Sequence, residues 1–121
     1  MKSSIVGNKS YQFALNIIAL SRRLREQRDF EIAGQIIRSG TSIGANVEEA
    51  LAGISRADFT AKMAIASKEA RETHYWLRLL RDSEIVSIEL LAPLLNDVDE
   101  LIRMLTAIVK TAQSQRAKTK N

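Results

Sequence analysis

Residues 55–80 read SRADFTAKMAIASKEARETHYWLRLL, and the spacing of their apolar positions decides the fold. Phe59, Met63, Ala66, Ala70, Thr73, Leu77 and Leu80 follow one another at intervals of 4, 3, 4, 3, 4 and 3. That rhythm keeps one seam of a helix turned toward its neighbours, as in coiled coils and bundles. The opening Ser55-Arg56-Ala57-Asp58 is a capping box with Asp in place of the usual Glu, so the helix has a defined start.

Upstream, Asp29 can cap another helix whose apolar positions run Ala33, Ile36 or Ile37, Gly40, Ile43, Val47 and Ala50 or Leu51, with Gly53 as terminator. Inside it SGTSIGAN (residues 39–46) is built from mediocre or poor helix formers. Small residues at Gly40, Ser42, Gly44 and Ala45 let a facing helix come close, and the tighter packing offsets some of the helix propensity lost. Asn46, just after them, is expected to hydrogen-bond across that seam.

A first helix starts at Ser10, with one apolar row at Phe13, Ile17, Leu20 and Leu24 and a second at Tyr11, Ala14, Leu15 and Ile18. Together the rows span about 220° of the circumference, twice what a surface helix needs, so this helix should meet more than one set of neighbours. A fourth helix, capped by Ser87, aligns Leu91, Leu94, Val98, Leu101, Leu105, Ile108 and Ala112, and Pro93 should bend it or delay its start. Short connections force successive helices to run antiparallel. The expected fold is all-α, an antiparallel up-down-up-down four-helix bundle forming one domain over residues 1–121, with residues 1–9 and 114–121 as flexible ends.

Composition narrows function by exclusion. The chain has no cysteine and a single histidine, His74, so disulfides, thiolate chemistry and most zinc sites drop out. With neither a signal-like leader nor a membrane-length apolar run, a cytoplasmic location without membrane contact is expected. The net charge of +4 is unevenly spread: residues 1–28 carry +5, residues 29–109 carry −5, and residues 110–121 carry +4. Basic surface therefore belongs to the two ends of the sequence.

The run IRSGTSIGANVEEALAGISRADFTAKMAIASKEARETHYWLRLLRDSE (residues 37–84) resembles a bacterial family. These are the four-helix-bundle proteins first noticed as reading frames in intervening sequences of large-subunit ribosomal RNA genes. The shared pattern is a basic residue, small residues, Ser-Ile, Asn, Glu, a Ser-x-x-[Asp/Glu]-Phe cap and Glu-Thr-x-Tyr-Trp-Leu. The resemblance implies a homopentamer. It also implies kinship with the accessory variability determinant of diversity-generating retroelements, a basic barrel that binds nucleic acid and a reverse transcriptase.

The strongest candidate site is SRRLREQR (residues 21–28), which gathers Arg22, Arg23, Arg25 and Arg28 at the end of the first helix. Four guanidinium groups can neutralise RNA or DNA phosphates. The competing reading is that cations at a helix C-terminus complement the macrodipole. No aromatic residue is interleaved with them to stack on bases.

Other clusters read as structure. Trp76 is expected to anchor the core or a subunit contact, and successive helical positions keep His74, Tyr75 and Trp76 from forming one stacking platform. Glu69 and Glu72 share a face but lack the Glu-x-x-His pairs of a di-iron bundle. If the second and third helices pair about Ile54, position 38 faces position 70, so Arg38 should reach Glu69 or Glu72 and fix the register. Glu48 and Glu49 are expected to be solvated or to pair with a basic group such as Arg56. No phosphate loop, catalytic machinery, metal site or cofactor site is legible.

The sequence thus points to a non-enzymatic, self-assembling bundle. Two roles compete: a nucleic-acid-binding accessory protein using basic helix ends, or an adaptor that binds a reverse transcriptase or other protein through an oligomeric barrel surface.

Overall fold

The computed structural model describes the backbone of residues 4–120 and the side chains of residues 4–115. Four helices, α1 (Ile5–Glu26), α2 (Phe30–Leu51), α3 (Arg56–Asp82) and α4 (Ile88–Lys120), carry the chain, and no strand occurs among the described residues. The connections hold three, four and five residues, too short for anything but antiparallel neighbours. Each helix packs on the next, α4 returns to α1 along a slighter seam, and the diagonal pairs stay apart.

The α3 seam is buried as its spacing predicts, from Met63 through Leu80, with Phe59 half-buried at the end. Facing it are Ile17 and Leu24 of α1, Ile36 and Ile43 of α2, and Leu91 and Leu105 of α4, all fully buried. In α2 the open alternatives resolve to Ile36 and Ala50; Ile37 is half-buried and Leu51 is exposed.

The α1–α2 seam explains the weak helix formers. A β-carbon on Gly40 would stand 2.7 Å from Cγ2 of Ile17, and one on Gly44 would stand 3.4 Å from the carbonyl oxygen of Ser10. The two backbones approach where α2 has no side chain, and the Ser21 hydroxyl donates across to the Ala33 carbonyl at 3.2 Å. Ala45, also expected in the seam, is exposed, and Ser42 is half-buried. Asn46 donates to the Ser42 carbonyl (2.9 Å) and hydroxyl (3.1 Å), so it bonds within its own helix and not across the seam as expected.

Helix starts follow local chemistry. The Ser55 hydroxyl accepts from the Asp58 amide at 3.0 Å, as the capping box requires. Asp29 occupies the N-cap position of α2 without capping through its side chain, and its carboxylate accepts from Gln27 Nε2 at 2.7 Å. Pro93 does not delay α4, which begins at Ile88.

The first helix begins at Ile5 and not at Ser10. The Ser4 hydroxyl caps the Gly7 amide at 3.0 Å, and Val6 and Ser10 prolong the buried row upstream of Phe13. At the other end, the backbone of α4 is helical through Lys120. Residues 1–3, Asn121 and the side chains of residues 116–120, all part of the ends expected to be flexible, lie outside the described residues. Among the described residues no helix is long and apolar enough to cross a membrane.

Candidate nucleic-acid interface

The end of α1 is oriented by Leu24, which is fully buried. At 100° per residue, this fans Arg22, Arg23 and Arg25 over about 160° of the opposite, solvent-facing side, with Glu26 inside the fan. All three are exposed. Arg23 borders a depression of about 410 Å³ between α1 and α4, whose apolar floor includes Leu20, Leu90, Pro93 and Leu94.

Arg28 lies beyond the helix. The Arg28 amide donates to the Arg25 carbonyl (3.0 Å) and the Asp29 amide to the Leu24 carbonyl (2.8 Å), a Schellman closure with Arg28 at the left-handed position, φ 68°. Glycine usually occupies that position because a side chain there is strained by about 1–2 kcal/mol. Glu84, φ 59°, closes α3 in the same way, with the Ile85 amide donating to the Leu80 carbonyl at 3.2 Å. Gln27 joins the two turns, donating to Asp29 and to the Ile85 carbonyl at 3.2 Å.

Ion pairs occur at both ends of the bundle. Lys9 pairs with Glu100 at 2.6 Å, Lys62 with Glu49 at 3.2 Å, and Arg81 with Asp82 at 2.8 Å. The Arg81 hydrogen bond holds the Asp82 carboxyl below the usual carboxylate range. Among the described residues no carboxylate approaches Arg22, Arg23, Arg25 or Arg28 within ion-pair distance, and Arg56, Lys68, Arg71, Arg78, Arg103 and Lys110 also meet none. Only Arg23 and Arg25 belong to the last turn of α1, where a cation complements the macrodipole.

The sequence reading missed Phe30. It is 51% exposed, and the Arg28 guanidinium carbon stands over its ring, 5.9 Å from the centroid. Looking only between the arginines overlooks it, because it opens the next helix. The triplet Arg28-Asp29-Phe30 straddling a helix break is the signal that could have found it.

The remaining candidates are structural. Arg38 bonds Glu69 at 3.1 Å and also Glu72, and Glu72 accepts from Trp76 Nε1 at 3.1 Å. Beside this latch the hydroxyls of Ser39 and Thr73 lie 2.9 Å apart in the buried α2–α3 seam. Glu49 takes Lys62 and not Arg56. His74 Nε2 meets Asp99 at 3.2 Å, tying α3 to α4. Trp76 packs half-buried on the core, with Tyr75 edge-on to it at 66°, so the two rings make no flat platform. Among the described residues no group of His, Cys, Asp and Glu could hold a metal ion.

Comparison with known proteins places this architecture. Residues 2–107 match the family of 23S rRNA-intervening sequence proteins. The chain belongs to that family. A crystal structure of a protein of unknown function, from the S23 ribosomal protein family of Bacteroides thetaiotaomicron, is 47% identical. The likeness covers 88% of this chain and 99% of that one, with a TM-score of 0.85. No curated protein matches the chain. The stretch shared with the intervening-sequence proteins contains the four arginines, Phe30 and the Arg38 latch.

In this intervening-sequence protein the latch makes a testable claim. A double-mutant cycle on Arg38→Ala and Glu72→Ala, read by denaturant unfolding, should give a coupling of about 0.5–1 kcal/mol. The value is held down by the half-exposed Arg38 side chain; zero coupling would remove the register role.

Proposed function

We propose that this intervening-sequence protein is a non-enzymatic, self-assembling cytoplasmic bundle that binds nucleic acid through Arg22, Arg23, Arg25 and Arg28. The observation that carries this reading is the set of four arginines gathered at one helix end with no carboxylate partner among the described residues. The phosphates of a polyanion can pair with these guanidinium groups.

Self-assembly is supported by the outer row of α1. Tyr11 is 57% and Leu15 45% exposed, and Ala14 and Ile18 beside them are half-buried, a contiguous apolar strip of the kind interfaces cover. The kinship described above makes a homopentamer the assembly to look for. The same strip favours a second reading, in which the barrel is an adaptor for a protein partner, a reverse transcriptase among the candidates.

Salt separates the two. Four phosphate contacts predict that affinity falls about 50- to 150-fold between about 50 and 200 mM salt. The variant with all four arginines changed to Gln should bind weakly with a nearly flat salt response. Light scattering with a short mixed RNA and DNA pool, at low and high salt, reads both mass and binding. A variant that binds as wild type does would remove the arginines from the site, and a pentamer that never gains nucleic-acid mass would favour the adaptor.

A further inference from the structure

We propose that the notch beside Phe30 receives an unpaired nucleobase, so that the arginine end selects single-stranded over duplex nucleic acid. This rests on the nucleic-acid reading above and adds the form of the ligand. The notch, about 460 Å³ and open to solvent, is lined by Arg28, Asp29, Phe30, Glu31, Ile32 and Ile85.

Its walls suit the face of a base. The half-exposed ring of Phe30 and the aliphatic chains of Ile32 and Ile85 offer apolar surface, and the Arg28 guanidinium adds a planar cation against the ring. Unpaired bases stack on aromatic rings and guanidinium planes, whereas a duplex keeps those faces stacked on one another. Asp29 and Glu31 in the lining repel phosphate but can accept from the exocyclic amine of a base. The base is therefore directed inward, while the strand's phosphates lie along Arg22 and Arg25 on the solvent face of α1.

The notch is also built to hold its shape. The Schellman closure fixes Arg28 relative to Phe30, at a backbone angle that glycine would take more readily than arginine. Gln27 hydrogen-bonds to Asp29 on one side and to the Ile85 carbonyl on the other, bridging the two sides of the notch. A preformed platform loses little freedom on binding.

The test is fluorescence anisotropy with single-stranded RNA and single-stranded DNA of about 12 nucleotides, and with the same sequences annealed to their complements. Wild type, Phe30→Leu, Phe30→Tyr and the four-arginine Gln variant are compared, with thermal unfolding run on each. Phe30→Leu should lose about 5- to 100-fold in affinity for the single strand and keep the wild-type salt slope and duplex binding. Phe30→Tyr, which restores a ring, should recover most of that loss. The arginine variant should weaken binding to every form. If Phe30→Leu holds the single strand as tightly as wild type while the arginine variant does not, the base notch is wrong and the nucleic-acid reading survives. If wild type binds none of the four probes, both fall.

Discussion

Gly40→Ala is expected to lower the unfolding free energy by about 1–3 kcal/mol, although alanine is the better helix former by about 1 kcal/mol. The added methyl would stand 2.7, 2.9 and 3.1 Å from Cγ2, Cγ1 and Cβ of Ile17. Ile17 is fully buried and branched at Cβ, so it cannot swing away, and relief requires α1 and α2 to part. Gly34, in the same helix, has nothing within 4 Å of the corresponding position. Gly34→Ala should therefore stabilise by about 0.5–1 kcal/mol. Opposite signs from one substitution at two positions of one helix isolate packing from propensity. Urea unfolding at equal m-value reads both, and a stabilised Gly40→Ala would dismiss the close approach.

The other side of the seam gives the second large effect. Ile17→Ala should cost about 2–5 kcal/mol, as removal of a fully buried branched side chain does. In the Ile17→Ala background, however, Gly40→Ala no longer meets an obstacle, and its methyl fills part of the vacated space. The double variant should be more stable than the sum of the single effects predicts by about 1–2 kcal/mol. Strict additivity would mean that the two positions do not share the seam.

Much of this architecture is legible before any coordinates. The α3 seam can be read because six of its seven positions are buried and regularly spaced, and only Phe59, near the start of α3, is half-buried. The pairing of Arg38 with Glu69 and Glu72 follows from the short α2–α3 turn, which fixes which positions face each other. The family, too, can be recognised from the order of small motifs along α2 and α3.

What escapes does so for physical reasons. Ser10 reads as a cap and is a core position, tolerated because its hydroxyl returns to the Gly7 carbonyl at 3.1 Å; that disguise hides the first turn of α1. Asn46 reads as a donor to another helix because sequence does not say which way a side chain turns, and Ser42 one turn below is nearer. Phe30 is overlooked because its place beside Arg28 depends on the left-handed residue that reverses the chain. The wide apolar arc of α1 is visible, and Tyr11 and Leu15 do remain exposed, but an arc does not name what covers it.

The order of packing bears on how the chain acquires its shape. Three of the four helix seams join consecutive helices, and the one that spans the whole chain, α1 with α4, is the slightest. Most native packing can thus form by local hairpin closure, and little loop entropy is spent before it does. Such low contact order belongs to domains that fold in about microseconds to milliseconds. Each hairpin can serve as a nucleus, and the α1–α4 closure, with the least packing to gain, is expected to follow. A fold begun locally in this way can be completed as the nascent chain emerges, with α4 docking onto three helices already in place.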